Sequence, residues 1–110
     1  MTIPLYIGHD PREGVGSHVF IESVLQTTSL PVNFMLMHKP MIESAVKRKV
    51  AEGTNAFTVS RFLIPWIQKF NGMAIFADGA DMLCRADLAE LHALYDPTKA
   101  VQVVMHDYRT

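Results

Sequence analysis

The uncharged run Met73-Ala74-Ile75-Phe76-Ala77 ends abruptly at Asp78-Gly79-Ala80-Asp81. Its apolar residues stand on both parities, as in a strand covered on both faces of a sheet rather than one with a wet side. Three other runs read the same way: Ile3–Ile7, Val32–Met37 and Ala100–Met105. Their Val, Ile, Phe and Tyr content suits extended chain. Pro4 carries no N–H, so the first strand begins weakly paired. Helical patterns fill the intervals. Ser17–Thr28 sets Phe20, Ile21, Val24 and Leu25 on one stripe. Pro40–Ala51 is a weaker pattern, with Ile42, Ala45, Val46 and Val50 on one side and Lys47, Arg48 and Lys49 elsewhere. Phe62, Leu63, Trp66, Ile67 and Phe70 make the strongest stripe and are expected in the core, although Pro65 should kink that helix or make it start late. Asp87-Leu88-Ala89-Glu90 has the form of a capping box opening a short helix, with Leu88, Leu91 and Leu94 inward and an end before Pro97. The order β-α-β-α-α-β-α-β predicts one α/β domain over residues 1–110, a mainly parallel sheet flanked by helices.

Composition narrows the function. With 49% apolar residues in a chain of 110, there is material for a packed core. Ten basic side chains against 11 acidic ones leave a net charge of −1, without the positive field of a nucleic-acid binder. Cys84 is the single cysteine, so an internal disulfide is excluded. No stretch has the 18 or so consecutive apolar residues of a membrane span, and Met1–Tyr6 lacks the form of a signal peptide. The expected location is the cytosol.

In open parallel sheets ligands bind outside the carboxyl ends of the strands. Here those exits carry Gly8-His9-Asp10-Pro11-Arg12-Glu13-Gly14, Asp78-Gly79-Ala80-Asp81 and His106-Asp107-Tyr108-Arg109. Asp-Pro and Asp-Gly also form turns with no ligand involved. Three acidic exits together look more like a lip of binding groups. Asp78 and Asp81 weigh most. Two carboxylates leaving a buried strand repel each other unless a cation or hydrogen-bond donors offset them. Mg²⁺ and Mn²⁺ take such oxygen ligands, often alongside substrate phosphates. Gly79 would let the backbone approach a ligand closely. Arg61 leads into the Trp66 helix, where a guanidinium can add a bidentate donor for an anion; otherwise it is a solvated first-turn residue. There is no phosphate-binding Gly-x-x-x-x-Gly-Lys-Ser/Thr loop, Gly8, Gly14 and Gly16 do not fit Gly-x-Gly-x-x-Gly, and the five histidines lack zinc-site spacing.

Three segments together carry a resemblance: Tyr6-Ile7-Gly8-His9-Asp10-Pro11-Arg12-Glu13, Asn55-Ala56-Phe57-Thr58-Val59-Ser60-Arg61-Phe62-Leu63-Ile64-Pro65, and Phe76-Ala77-Asp78-Gly79-Ala80-Asp81-Met82-Leu83. In that order the chain resembles GT-A-type glycosyltransferases, in the branch similar to glycosyltransferase family 8, from Ile3 to about Tyr108. The resemblance implies a Rossmann-like GT-A nucleotide-sugar-binding domain, a nucleoside-diphosphate sugar donor such as a UDP-sugar, Mn²⁺ or Mg²⁺, and transfer with retention to a hydroxyl of a glycan or other acceptor. It assigns Ile7, Gly8, His9, Asp10 and Arg12 to the donor, with Ser60 and Arg61 near the sugar or diphosphate. Asp78, Gly79, Ala80 and Asp81 fall where the family has its Asp-x-Asp motif. That makes Asp78, Asp81 and Arg61 the catalytic set. Asp78 and Asp81 are the expected metal ligands, with His106 or Asp107 as further candidates. The chain departs from the family in two ways. Its two acids are separated by one residue more than Asp-x-Asp allows, or Ala80 replaces one of the motif's acids, so either Asp78 or Asp81 can be the ligand. It is also short, as a fragment or a form that completes its site in a homodimer would be. Two other readings stand beside the enzyme: a non-catalytic nucleotide-sugar-binding module lacking the acceptor half, and an α/β interaction domain whose acids are only turns.

Overall fold

The computed structural model describes residues 1–10, 12, 14–38, 40, 43–44, 61–79 and 82–105. Strand β1, Ile3–Gly8, is followed by helix α1, Gly14–Thr27, and strand β2, Val32–Met37. A 3-10 turn at Arg61–Leu63 runs into a one-turn helix, α2, Ile64–Ile67; strand β3, Ile75–Ala77, and helix α3, Leu88–His92, complete the order. The sheet runs β2-β1-β3, with both pairs parallel. Parallel neighbours need a crossover between them, and α1 supplies the first.

Central β1 is covered on both faces, as its two-sided apolar pattern requires. Ile3, Leu5 and Ile7 face α1, packing with Phe20, Val24 and Leu88. Tyr6 faces the other way, with Met37 and Ile64 and the half-buried Leu63, Ile67 and Phe76. Helical elements therefore lie on both sides of the sheet. The buried Tyr6 hydroxyl donates to Gln68 Oε1 at 2.6 Å, and Gln68 Nε2 donates to Met73 O at 3.2 Å. Burial raises the Tyr6 pKa above its usual value. Asp87 caps α3 by accepting from Ala89 N, and the same oxygen accepts from Ser29 N, tying the α1–β2 loop to that helix. These bonds hold the Asp87 carboxyl below its ordinary pKa, Ser29 contributing most.

Several expectations need correction. Ala100–Met105 forms no strand: it is irregular, and Val101, Val103, Val104 and Met105 are exposed. No layer among the described residues packs on this run, so its β-propensity has no described surface to act on. Phe62, Trp66 and Phe70 are exposed rather than core. The proline holds the helix back to Ile64, and its turn presents Ile64 inward. Positive φ at Lys69 and Phe70 then ends it. In α3 only Leu88 is buried; Leu91 and Leu94 are exposed, since a helix this short has no second turn to place them against the sheet. β3 starts at Ile75, two residues later than expected, and Met73 O accepts from the Gln68 side chain. The expected helix over Pro40–Ala51 lies almost wholly outside the described residues. No helix among the described residues is long and apolar enough to cross a membrane.

Candidate functional site at the carboxyl edge of the sheet

Strand register decides which exits share an edge. Gly8 pairs with Met37 and Ile7 with Ala77, all three strands pointing the same way. The next residues, His9-Asp10, His38 and Asp78-Gly79, therefore emerge side by side at the carboxyl edge. His9 N continues the ladder by donating to Met37 O at 2.9 Å.

Gly79 closes this edge. It is buried, with φ +83°, a left-handed conformation that glycine alone adopts without strain. A Cβ there would collide with Ile7 Cγ2 and stand 3.5 Å from Gly8 O. The close approach expected of Gly79 toward a ligand is thus made toward β1 itself, and it lays the backbone at Asp78-Gly79 across the end of that strand. Asp78 is exposed, and no hydrogen bond reaches its carboxylate among the described residues.

Asp10 is held differently. Its Oδ1 accepts from Arg12 N at 3.0 Å, and its two oxygens accept from the Arg12 guanidinium at 2.7–3.1 Å. The Arg12 hydrogen bonds hold its pKa down to about 2. Its acceptor capacity at the edge is therefore partly spent on Arg12, and the rest is oriented by it. His9 is half-buried, and its Nδ1 lies 3.0 Å from the Ser17 hydroxyl.

Ile7 is fully buried, backbone included, and pairs with Leu36 on one side and Ala77 on the other. Arg61 is exposed at the start of the 3-10 turn, with its guanidinium carbon 5.5 Å from the centroid of the Phe76 ring. Phe76 lies two residues before Asp78, which ties Arg61 to the far face of β3 close to the acidic exit. Ser60, Ala80, Asp81, His106 and Asp107 fall outside the described residues. Among those described, no cluster of three or more His, Cys, Asp or Glu could hold a metal ion. An open Asp78 carboxylate fits one ligand of a hard cation whose remaining ligands come from phosphates and water.

Two groups at this edge were not singled out by sequence reading. His38 stands at the exit of β2 and carried the same positional signal as His9. Ser17 carried none, because its partner lies on another element. Two shallow grooves, one along α1 between Val15 and Leu83 and the other over Cys84–Leu94, do not reach His9, Asp10 or Asp78.

The chain is 35% identical over 112 aligned positions to Protein CDI of Arabidopsis thaliana, an alignment covering 94% of this chain and 41% of the relative. It thus spans about two fifths of that relative's length, and the relative's name states no activity. No family model matches the chain. No solved structure matches it.

Proposed function

We propose that this chain is the donor-binding part of a metal-dependent glycosyltransferase of GT-A type, moving a sugar from a nucleoside-diphosphate sugar, a UDP-sugar by resemblance, to an acceptor hydroxyl. One observation supports this most: the register Ile7–Ala77, locked by Gly79 against Ile7, aligns the His9-Asp10 and Asp78-Gly79 exits on one sheet edge. Those are the exits of two of the three resembling segments, and parallel sheets bind nucleotides at such edges.

Asp78 would hold Mn²⁺ or Mg²⁺, with Asp81 the other acid of the motif and His106 or Asp107 able to join them. A bound divalent cation supplies neutralisation of the charge that grows on the departing diphosphate. Arg61, whose guanidinium carbon lies 5.5 Å from the Phe76 ring centroid, would add its positive charge for the same purpose. Asp10 stays ionised at any pH well above 2, and Arg12 fixes its direction, so its remaining lone pairs can accept from donor hydroxyls or a base N–H. Gly8, at the end of β1, would offer backbone groups only. Retention of configuration follows from the resemblance and from no residue at this edge.

A second form of the reading is a non-catalytic nucleotide-sugar-binding module that lacks the acceptor half. A cytosolic setting accords with both forms. Calorimetry with UDP, with and without Mn²⁺, tests the shared step. Metal-dependent heat that disappears in Asp78→Asn is expected; heat unchanged in that variant removes Asp78 from the site. Release of UDP from a panel of UDP- and GDP-sugars then separates enzyme from binder.

A further inference from the structure

Besides the Tyr6 hydroxyl, two polar side chains are buried among the described residues, Ser17 and Ser23. Ser23 has a structural use, since its hydroxyl donates to Phe20 O and accepts from Cys84 N, holding the segment after β3 onto α1. Ser17 does not. It is fully buried on the inner side of α1, and its one described partner is the His9 ring. Packing alone would be served by alanine, which is also the better helix former. A hydroxyl kept in such a place is explained by what it does to its partner.

His9 stands where β1 gives way to the loop at the carboxyl edge. Ser17 holds its Nδ1 side at 3.0 Å. Gly14 stands beside the Cε1 side, where an added Cβ would make an ordinary van der Waals contact at 3.7 Å. The Nε2 atom has no partner among the described residues. A neutral imidazole has one donor and one acceptor nitrogen, and the bond on one side decides the role of the other.

We propose that Ser17 is a positioning residue: its buried hydroxyl donates to His9 Nδ1, selects the Nε2–H tautomer, and so presents Nε2–H at the sheet edge as a donor to an oxygen of the nucleoside diphosphate. The ligand half of this inference rests on the glycosyltransferase reading; the tautomer half rests on the His9–Ser17 geometry alone. When His9 is protonated, Nδ1–H donates to the Ser17 oxygen instead, and Nε2–H keeps its role.

Long-range ¹H–¹⁵N spectra of the full chain read the tautomer without any ligand. The parent is expected to show His9 as Nε2–H, Ser17→Thr to keep it, and Ser17→Ala to shift toward a mixture. A parent in the Nδ1–H form, or an unchanged ratio in Ser17→Ala, overturns the inference. Titrations with UDP, uridine and pyrophosphate, each with Mn²⁺, follow. Loss of one neutral hydrogen bond predicts about three- to tenfold weaker UDP binding in Ser17→Ala, with no further loss in the His9→Ala background. The same loss with uridine places the acceptor on the nucleoside, and with pyrophosphate on the phosphates; no loss with any probe overturns the ligand half. A parent that binds none of the three overturns the nucleotide reading, and the His9 spectrum then decides the role of Ser17 by itself.

Discussion

At the scale of single residues, two glycines with similar backbone angles separate conformation from contact. Gly72 has φ +73° and nothing within 4 Å of a would-be Cβ, whereas Gly79, at φ +83°, would put that atom into Ile7. Gly72→Ala should cost about 1 kcal/mol from the left-handed backbone alone. Gly79→Ala adds overpacking against a fully buried side chain and should cost about 1–3 kcal/mol more. Urea midpoints of the two variants measure the difference; equal costs would mean that the Gly79–Ile7 approach does not hold the edge together. Asp10 offers a test by charge. Its folded pKa, about 2, lies below the ordinary carboxylate value near 3.9, so the pair stabilises the fold at and above pH 4. That contribution is lost as pH falls from 4 toward 2 and Asp10 takes up a proton. An NMR titration should place the Asp10 carboxyl near 2 in the parent and move it upward in Arg12→Ala, with salt weakening the effect because Arg12 is exposed. No movement would mean that Arg12 is not what holds it down.

Among the elements, α2 is where periodicity and structure part. Phe62, Trp66 and Phe70 are spaced as a helical stripe, which only describes a helix long enough to have one. Pro65 sets the start of the helix and positive φ at Lys69 and Phe70 its end, so Ile64 takes the inward place and the aromatics stand at 58–80% exposure. Trp66 is the single tryptophan, which makes the point measurable. Its emission should sit close to that of the free amino acid and be quenched readily by iodide. Ile64→Ala should cost about 2–4 kcal/mol, and Trp66→Ala less than about 1. A blue-shifted, protected indole, or the reverse order of costs, would return the aromatics to the core.

Taken whole, the molecule was legible where local pattern and tertiary contact agree. β1 and β2 follow their apolar runs almost to the residue, and their parallel pairing follows from the helix between them. Asp87 caps its helix as its neighbours suggested. What was hidden depends on partners remote in sequence: Gly79 on Ile7, Ser17 on His9, and Val101–Met105, whose strand-like composition meets no layer among the described residues. The candidate site shares this division, since its residue types are visible in the sequence and their common edge exists only through register. Register also couples ligand to fold. A donor that bridges the β1 and β3 exits binds the native sheet and not the unfolded chain, so it must stabilise the whole domain. At a hundred times its dissociation constant the gain is about 2.7 kcal/mol, a rise of roughly 10–20 °C in Tm for a domain this small. UDP with Mn²⁺ should produce that rise in the parent, chelation by EDTA should reverse it, and Asp78→Asn should show little of it. A rise of equal size without the metal, or in Asp78→Asn, would mean that the nucleotide is held by something other than an ion on that carboxylate.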